Sequence, residues 1–383
     1  MPPPESKLPG VGTTIFTVMS RLAAETGAIN LGQGFPDFQP PVRLQDLVAL
    51  HLAAGHNQYA PMAGLPALCE AIAGQAARRH GWTIDAAQEV TVTAGATEAL
   101  FAAIHAVVRA GDEVIVLDPS YDSYVPAALL AGARLVRVPL ALPDFHIDFD
   151  RLAAAISPCT RLLIVNTPLN PAGAVLDDGD WDRIADLLEP HDALVLSDEV
   201  YEPLVFDGRR HAGVLSNMRL RPRAFAVFSF GKTFNATGWK VGYCVAAPPL
   251  TAEFRKVHQF LTFSVSTPIQ HAIADFMGEQ PMFADGLAPF YQERRDRFVA
   301  LLEGSRFRIR KAAGTYFQLA DYSVVSDLPD VEFCVELTRR HGVAAIPLSP
   351  FCDVSPQARL IRFCFAKDNA TLERAAGQLR SIR

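Results

Sequence analysis

Three apolar runs, each ending on a cluster of polar residues, limit the fold of this chain more than any other feature. Leu162 to Val165 (LLIV) leads into Asn166, Thr167, Pro168, Leu169, Asn170, Pro171, Ala172 and Gly173. Ala193 to Leu196 (ALVL) leads into Ser197, Asp198, Glu199, Val200 and Tyr201. Ala224 to Phe228 (AFAVF) leads into SFGKTFNATGWKVGY, Ser229 to Tyr243, with Lys232 in a loop between Gly231 and Thr233. Short apolar runs bounded by turn residues read as buried strands. In an open α/β sheet the carboxyl ends of the strands are where ligands bind. Three strand ends in succession therefore bring an amide, a carboxylate and an amine toward one place. A lone loop lysine is ordinarily solvated; this neighbourhood sets Lys232 apart.

A chain of 383 residues, half of them hydrophobic, can bury a large core in one or two domains. A formal charge of -6 argues against nucleic acid or an anionic membrane surface as the main partner. The six cysteines are scattered without a CxxC pair or ligand cluster, so the expectation is reduced, mostly buried thiols with no disulfide framework and no metal site. The start, MPPPESKLPG, lacks the apolar core of a signal peptide, and no run reaches the roughly 20 apolar residues of a membrane span. The expected location is cytoplasmic.

In chain order, a helix is expected over Thr14 to Thr26, followed by INLGQGFPDF, Ile29 to Phe38. Gly32 and Gly34 do not open a dinucleotide fingerprint, because the third glycine position is Asp37 and Pro36 blocks a helix start. His56 to Pro61 (HNQYAP) is a polar link before a helix over Leu65 to His80. Val90 to Thr93 alternates as a strand and turns through Ala94, Gly95, Ala96 and Thr97 into an amphipathic helix bearing Leu100, Phe101, Ile104, Val107 and Val108. Small residues at such a turn expose backbone N–H groups that favour a phosphate dianion, which makes Gly95, Ala96 and Thr97 a candidate phosphate cup. A plain N-cap by Thr97 is the alternative. Strands Val114 to Leu117 and Arg134 to Val138 and a helix over Asp150 to Ile156 complete this half. Beyond Ala284 come a charged helix (Tyr291 to Leu302), strands Gly314 to Leu319 and Val343 to Pro347, a helix (Val331 to His341) closed by Gly342, and an alternating strand, Arg359 to Ala366.

Lys232, SDEVY, NPAG and the order in which they occur resemble the fold type I, class I/II aminotransferases that use pyridoxal 5'-phosphate, over nearly the whole chain. GTTIFTVM, NQYAP, TFSVSTP and VAAIPLS make the resemblance closest to the methionine-preferring branch, with the kynurenine and glutamine transaminases next. The resemblance implies an α/β fold with a large domain on a mostly parallel seven-stranded sheet and a small α/β domain. The corresponding boundaries are 1–45 for an N-terminal arm and part of the small domain, 46–283 for the large domain and 284–383 for the small C-terminal domain.

It also implies site roles. Lys232 is the lysine that holds the cofactor covalently and then moves a proton. Asp198 faces the pyridine nitrogen and keeps it protonated. Asn170 and the Tyr201 hydroxyl donate to the phenolic oxygen. Tyr121, rather than Tyr124, lies flat on the ring, with core packing open as an alternative for both. Ser229 and Lys240 join the phosphate cup, Lys240 standing where many relatives carry arginine, so that a point charge replaces a bidentate clamp. The Arg362 guanidinium clamps the substrate carboxylate, with the Gly34 backbone against it. Phe16 is an apolar wall of the same pocket, or plain core. Tyr59 reaches across a homodimer interface to the neighbour's phosphate, giving two shared active sites, unless it is an ordinary surface tyrosine. Phe263 belongs to a segment that enters the partner's pocket, and that segment carries no arginine to read a second carboxylate. The implied reaction moves the amino group of a neutral L-amino acid, methionine or an aromatic one, to a 2-oxo acid. A carbon–sulfur β-lyase on the same cofactor is the rival enzyme. A cofactor-sensing regulator is disfavoured because the resemblance begins within the first twenty residues and leaves no room for a DNA-binding module.

Overall fold

The computed structural model describes residues 5–383, so the first prolines of the expected N-terminal arm lie outside the described residues. Its largest sheet contains seven strands: β1 (Val90–Thr93), β2 (Glu113–Asp118), β3 (Arg134–Pro139), β4 (Thr160–Asn166), β5 (Leu194–Asp198), β6 (Ala224–Ser229) and β7 (Gly242–Ala246). In space they run β1-β7-β6-β5-β4-β2-β3. From β6 across to β3 every pairing is parallel, whereas β7 is antiparallel to both of its neighbours.

Both faces of this sheet are covered, which is why its strands read as continuous apolar runs. Alternate side chains feed separate cores. Val114, Val116, Leu162, Ile164, Leu196, Phe225 and Val227 pack against helices Ala96–Val107 and Pro248–Leu261. Their neighbours Ile115, Leu117, Leu163, Val165, Val195 and Ala226 pack against helices Pro66–His80, Asp178–Leu188 and Thr267–Glu279. The carboxyl ends of β4, β5 and β6 therefore lie side by side: Asn166 pairs in register with Asp198, and Asp198 with Val227.

A four-stranded antiparallel sheet, ordered Ile346–Pro347, Leu360–Cys364, Phe317–Asp321 and Arg308–Ile309, forms a second unit. The N-terminal segment joins it. Ile29–Asn30 pairs in parallel with Val343–Ala344, and the Cys364 N–H donates to the Leu31 carbonyl at 2.7 Å. A third core fills this unit, with Met19 and Leu22 of helix Ile15–Thr26 packed among Phe363, Phe365 and Leu372.

The expected elements are present, with informative differences. Thr14 caps the first helix from outside, accepting from the Thr17 N–H at 3.3 Å, and Leu65 likewise stands outside helix Pro66–His80. The charged helix begins a turn earlier, at Leu287. Strand pairing after Gly314 is delayed to Phe317 because Thr315 turns through φ 66°. Val343 to Pro347 is two short strands in different sheets rather than one. Four cysteines (Cys69, Cys244, Cys334 and Cys364) are buried, while Cys159 is exposed, and all six are free thiols. Among the described residues, no helix is long and apolar enough to cross a membrane.

Candidate active site

Lys232 does not sit in an open loop. After β6 the chain coils at once into a single helical turn, Phe230–Thr233, with the Phe234 N–H donating to the Phe230 carbonyl at 2.8 Å and the Thr233 hydroxyl to the Ser229 carbonyl at 3.2 Å. That turn aims the lysine back over the strand ends, where Nζ lies 5.8 Å from the Tyr201 ring centre and 5.9 Å from that of Tyr316. Burial disfavours the ammonium form and pushes the Lys232 pKa down to about 8. A fraction of free amine is thus present near neutral pH, as a nucleophile or base requires.

Asp198, the last residue of β5, is buried, and burial pushes its carboxyl up to about 6. Two donors hold the ionised form against that penalty: the Tyr124 hydroxyl at 2.6 Å and the Val200 N–H at 3.3 Å. At the end of β4, Asn166 locks the neighbouring turn. Its amide donates to the Asp198 carbonyl at 2.8 Å, and its oxygen accepts from the Asn170 N–H at 2.8 Å.

Arg362 enters from the smaller unit. It belongs to Leu360–Cys364 and is fully buried, with its guanidinium 3.9 Å from the Phe317 ring centre and 5.1 Å from that of Phe16. One arm donates to Asn170 Oδ1 at 2.7 Å and the other to the Gly32 carbonyl at 2.9 Å; Nε is buried with no partner among the described residues. A buried guanidinium paired only with neutral acceptors retains its full charge for an anion. Gly34 lies against it: a Cβ there would come 3.7 Å from Arg362 Nη2 and 3.2 Å from the Phe317 ring. The Tyr316 hydroxyl fixes that backbone through the Gly34 carbonyl at 2.8 Å.

The opposite end of the cavity is the turn between β1 and helix Ala96–Val107. Gly95, at φ 79°, is the N-cap, so Thr97 falls inside the first turn and the plain N-cap alternative for it is not realised. Lys240 hangs over this turn: a Cβ on Gly95 would lie 3.4 Å from its Nζ. A helix N-terminus of twelve residues, a hydroxyl and an ammonium together form an anion cradle.

These groups line one cavity of about 310 Å³. Of the residues expected from the sequence, Phe16, Gly34, Gly95, Ala96, Thr97, Tyr121, Asn170, Asp198, Tyr201, Ser229, Lys232, Lys240 and Arg362 all face it. Tyr59 and Phe263 do not. They lie on the surface, 82% and 46% exposed, edge to face with ring centres 5.3 Å apart. Gln33, Phe35, Asn166 and Phe317 also line the cavity without having been singled out. Asn166 was visible in principle, since it ends its strand as Asp198 ends the next one. Phe317 carried no signal, as its position depends on the second sheet.

The donor set fits pyridoxal phosphate. The cradle suits its phosphate, the partly deprotonated lysine its aldehyde, and the buried carboxylate its pyridine nitrogen. Comparison with known proteins agrees. A model of the family "Aminotransferase class I and II" matches residues 26–379. Methionine aminotransferase of Escherichia coli (strain K12) is 54% identical over 379 residues, covering 99% of this chain and 98% of that protein. A probable N-succinyldiaminopimelate aminotransferase of Mycobacterium tuberculosis is 40% identical across 98% of this chain and 97% of its own length. Kynurenine–oxoglutarate transaminase 1 of mouse is 35% identical across 96% and 95%. The crystal structure of the E. coli protein superposes with a TM-score of 0.98 at 54% identity, each chain covered in full. The chain belongs to the class I and II aminotransferases and is a pyridoxal-phosphate-dependent aminotransferase.

Proposed function

We propose that this enzyme takes the amino group of a neutral L-amino acid, methionine first among them, and passes it to a 2-oxo acid. The observation that carries the neutral side chain is the count of cations. Among the described residues, Lys232, Lys240 and Arg362 are the only ones lining the cavity. Lys240 belongs with the anion cradle, Lys232 with the cofactor aldehyde and Arg362 with the substrate carboxylate. None remains in this chain for a second carboxylate, while Phe16, Phe35 and Phe317 supply apolar walls. The identity with a methionine aminotransferase supports the same choice.

The geometry supports the following residue roles. Bound pyridoxal phosphate supplies an electron sink for the pair left on the substrate Cα. Arg362, with Asn170 on one arm and the Gly34 backbone beside it, orients the substrate carboxylate. Lys232 would take the Cα proton, and its depressed pKa would let it do so near neutral pH. Asp198, braced by Tyr124, would hold a proton on the pyridine nitrogen. Asn170 and Tyr201 would donate to the phenolic oxygen, and Tyr121 would cover the ring. Gly95, Ala96, Thr97, Ser229 and Lys240 would bind the phosphate.

The same reading makes the protein a cytoplasmic homodimer in which Tyr59 and Phe263 complete the partner's site, divided at about residues 45 and 283. Their joint exposure on one surface supports it. The test is a half-reaction. L-methionine is added to the purified holoenzyme without any 2-oxo acid, and the cofactor absorbance is followed. Full conversion to the pyridoxamine form, reversed by a 2-oxo acid, is expected. Release of pyruvate and thiol from cystathionine with no such conversion would overturn it in favour of β-elimination.

A further inference from the structure

Away from the cavity, three histidines converge. His51 lies in the last turn of helix Val42–Ala53, His56 follows after the turn at Gly55 (φ 86°), and His271 belongs to helix Thr267–Glu279, which packs against Val42–Ala53. One ring nitrogen from each lies within 4.8 Å of the other two. The backbone fixes the pair on the first segment, with the His56 N–H donating to the His51 carbonyl at 3.1 Å. His51 is 8% exposed, while His56 and His271 are half-buried, so the cluster is anchored on the inside and open on the outside.

Asp275 tells which nitrogen of His51 is free. Its carboxylate lies 2.9 Å from His51 Nε2, so Nε2 carries the proton and Nδ1 the lone pair. That lone pair points at His56 Nδ1, 2.9 Å away. A carboxylate behind the distal nitrogen of an imidazole is the arrangement that fixes tautomer and ring orientation in histidine metal sites. Asp275 stands four residues after His271 on the same helix face, so one helix supplies both a ligand and the brace for another.

We propose that His51, His56 and His271 bind one divalent late first-row metal ion, zinc being the best fit, with water in the fourth position. Three neutral imidazoles suit zinc, copper or nickel and not calcium or magnesium, which need oxygen ligands. In tetrahedral zinc with bonds of 2.0–2.1 Å, neighbouring ligand nitrogens stand roughly 3.3 Å apart, and the cluster already brackets that separation. The rings are now stacked, with centres 4.0–5.0 Å apart and planes 22–25° from one another. Binding turns them about their terminal torsions, which are soft for histidine, and moves the proton between the two Nδ1 atoms to His56 Nε2. The ion clips the segment that leads to Tyr59 onto the helix that follows Phe263. These two segments already touch through the Thr267 hydroxyl, which donates to the Gln58 carbonyl at 2.5 Å. The sequence hides the site because its third ligand lies far along the chain from the first two.

The test uses untagged holoenzyme stripped with a chelator, then equilibrium dialysis against Zn²⁺ and metal analysis. One zinc per chain is expected. Co²⁺ in its place should give the intense visible bands of a tetrahedral ion. Asp275→Asn, which leaves the three ligands intact, should weaken binding roughly 10–100-fold, and His271→Gln should abolish stoichiometric uptake. Circular dichroism and cofactor absorbance verify that each variant is folded. Absence of stoichiometric zinc in the wild type would overturn the proposal. Uptake unchanged in both variants would also overturn it, placing the ion elsewhere, for instance on the exposed Cys159.

Discussion

Tyr124 donates to Asp198 from inside the core at 2.6 Å, and this hydrogen bond favours the ionised form of a carboxylate that burial otherwise pushes up. Sequence reasoning preferred Tyr121 at this strand end and left Tyr124 between core and site. The helix that begins at Tyr124 sets its ring edge on to Tyr121 at 5.8 Å, so Tyr121 lines the cavity while Tyr124 braces Asp198 from the core. Tyr124→Phe removes a bond to a charged group, on the order of 2 kcal/mol, and should weaken cofactor binding roughly 30-fold in an equilibrium titration of the apoenzyme. A pH effect follows from the same residue. The folded-state pKa of Asp198, about 6, lies above its ordinary value of 3.8. The apoenzyme therefore loses stability as pH rises from about 4 to about 6 and keeps the loss above that. Asp198→Asn should raise the apoenzyme's melting temperature at pH 8, with the difference vanishing below pH 4. Arg362→Lys replaces a fork by a point charge and leaves the Asn170 and Gly32 acceptors partly unpaired. Its kcat/KM for methionine should fall about 100-fold or more, measured at saturating cofactor.

At the scale of elements, the anion cradle depends on how closely β7 passes beneath the turn at Gly95. A Cβ on Gly242 would meet the Phe228 carbonyl at 2.5 Å and the Ala96 nitrogen at 3.0 Å, both backbone atoms that cannot swing aside. Gly242→Ala should therefore push strand and turn apart, cost about 1–3 kcal/mol in denaturant unfolding, and weaken cofactor binding in the same variant. The order of elements around the site was legible, because Asn166, Asp198 and Ser229 end three successive strands that pair in parallel with one another. The single turn Phe230–Thr233 was not. Glycine and threonine beside Lys232 read as loop, and only packing of Phe230 on Phe234 and Tyr243 coils the segment. The split of Val343 to Pro347 was hidden for a similar reason: its apolar run is continuous, but its two ends serve different sheets.

At the scale of the whole molecule, Tyr59 and Phe263 are the residues that one chain does not bring to its own cavity. If they complete the partner's site, a chain lacking Tyr59 and a chain lacking Lys232 repair each other. Tyr59→Ala and Lys232→Ala homodimers should both be nearly inactive, and a mixture unfolded and refolded together should regain activity through hybrids holding one intact site. No recovery in verified hybrids would count against shared sites. The sequence by itself determined the family, the large sheet and the identity of the charged residues at the strand ends, because buried strands and their termini are written in local patterns of apolar and polar residues. Only the tertiary structure decided the bracing of Asp198 by Tyr124, the approach of Arg362 to Asn170 from a different sheet, and the meeting of His51 and His56 with His271. Each of these joins residues far apart in the chain, and local pattern carries no record of which distant side chains packing will bring within hydrogen-bond distance.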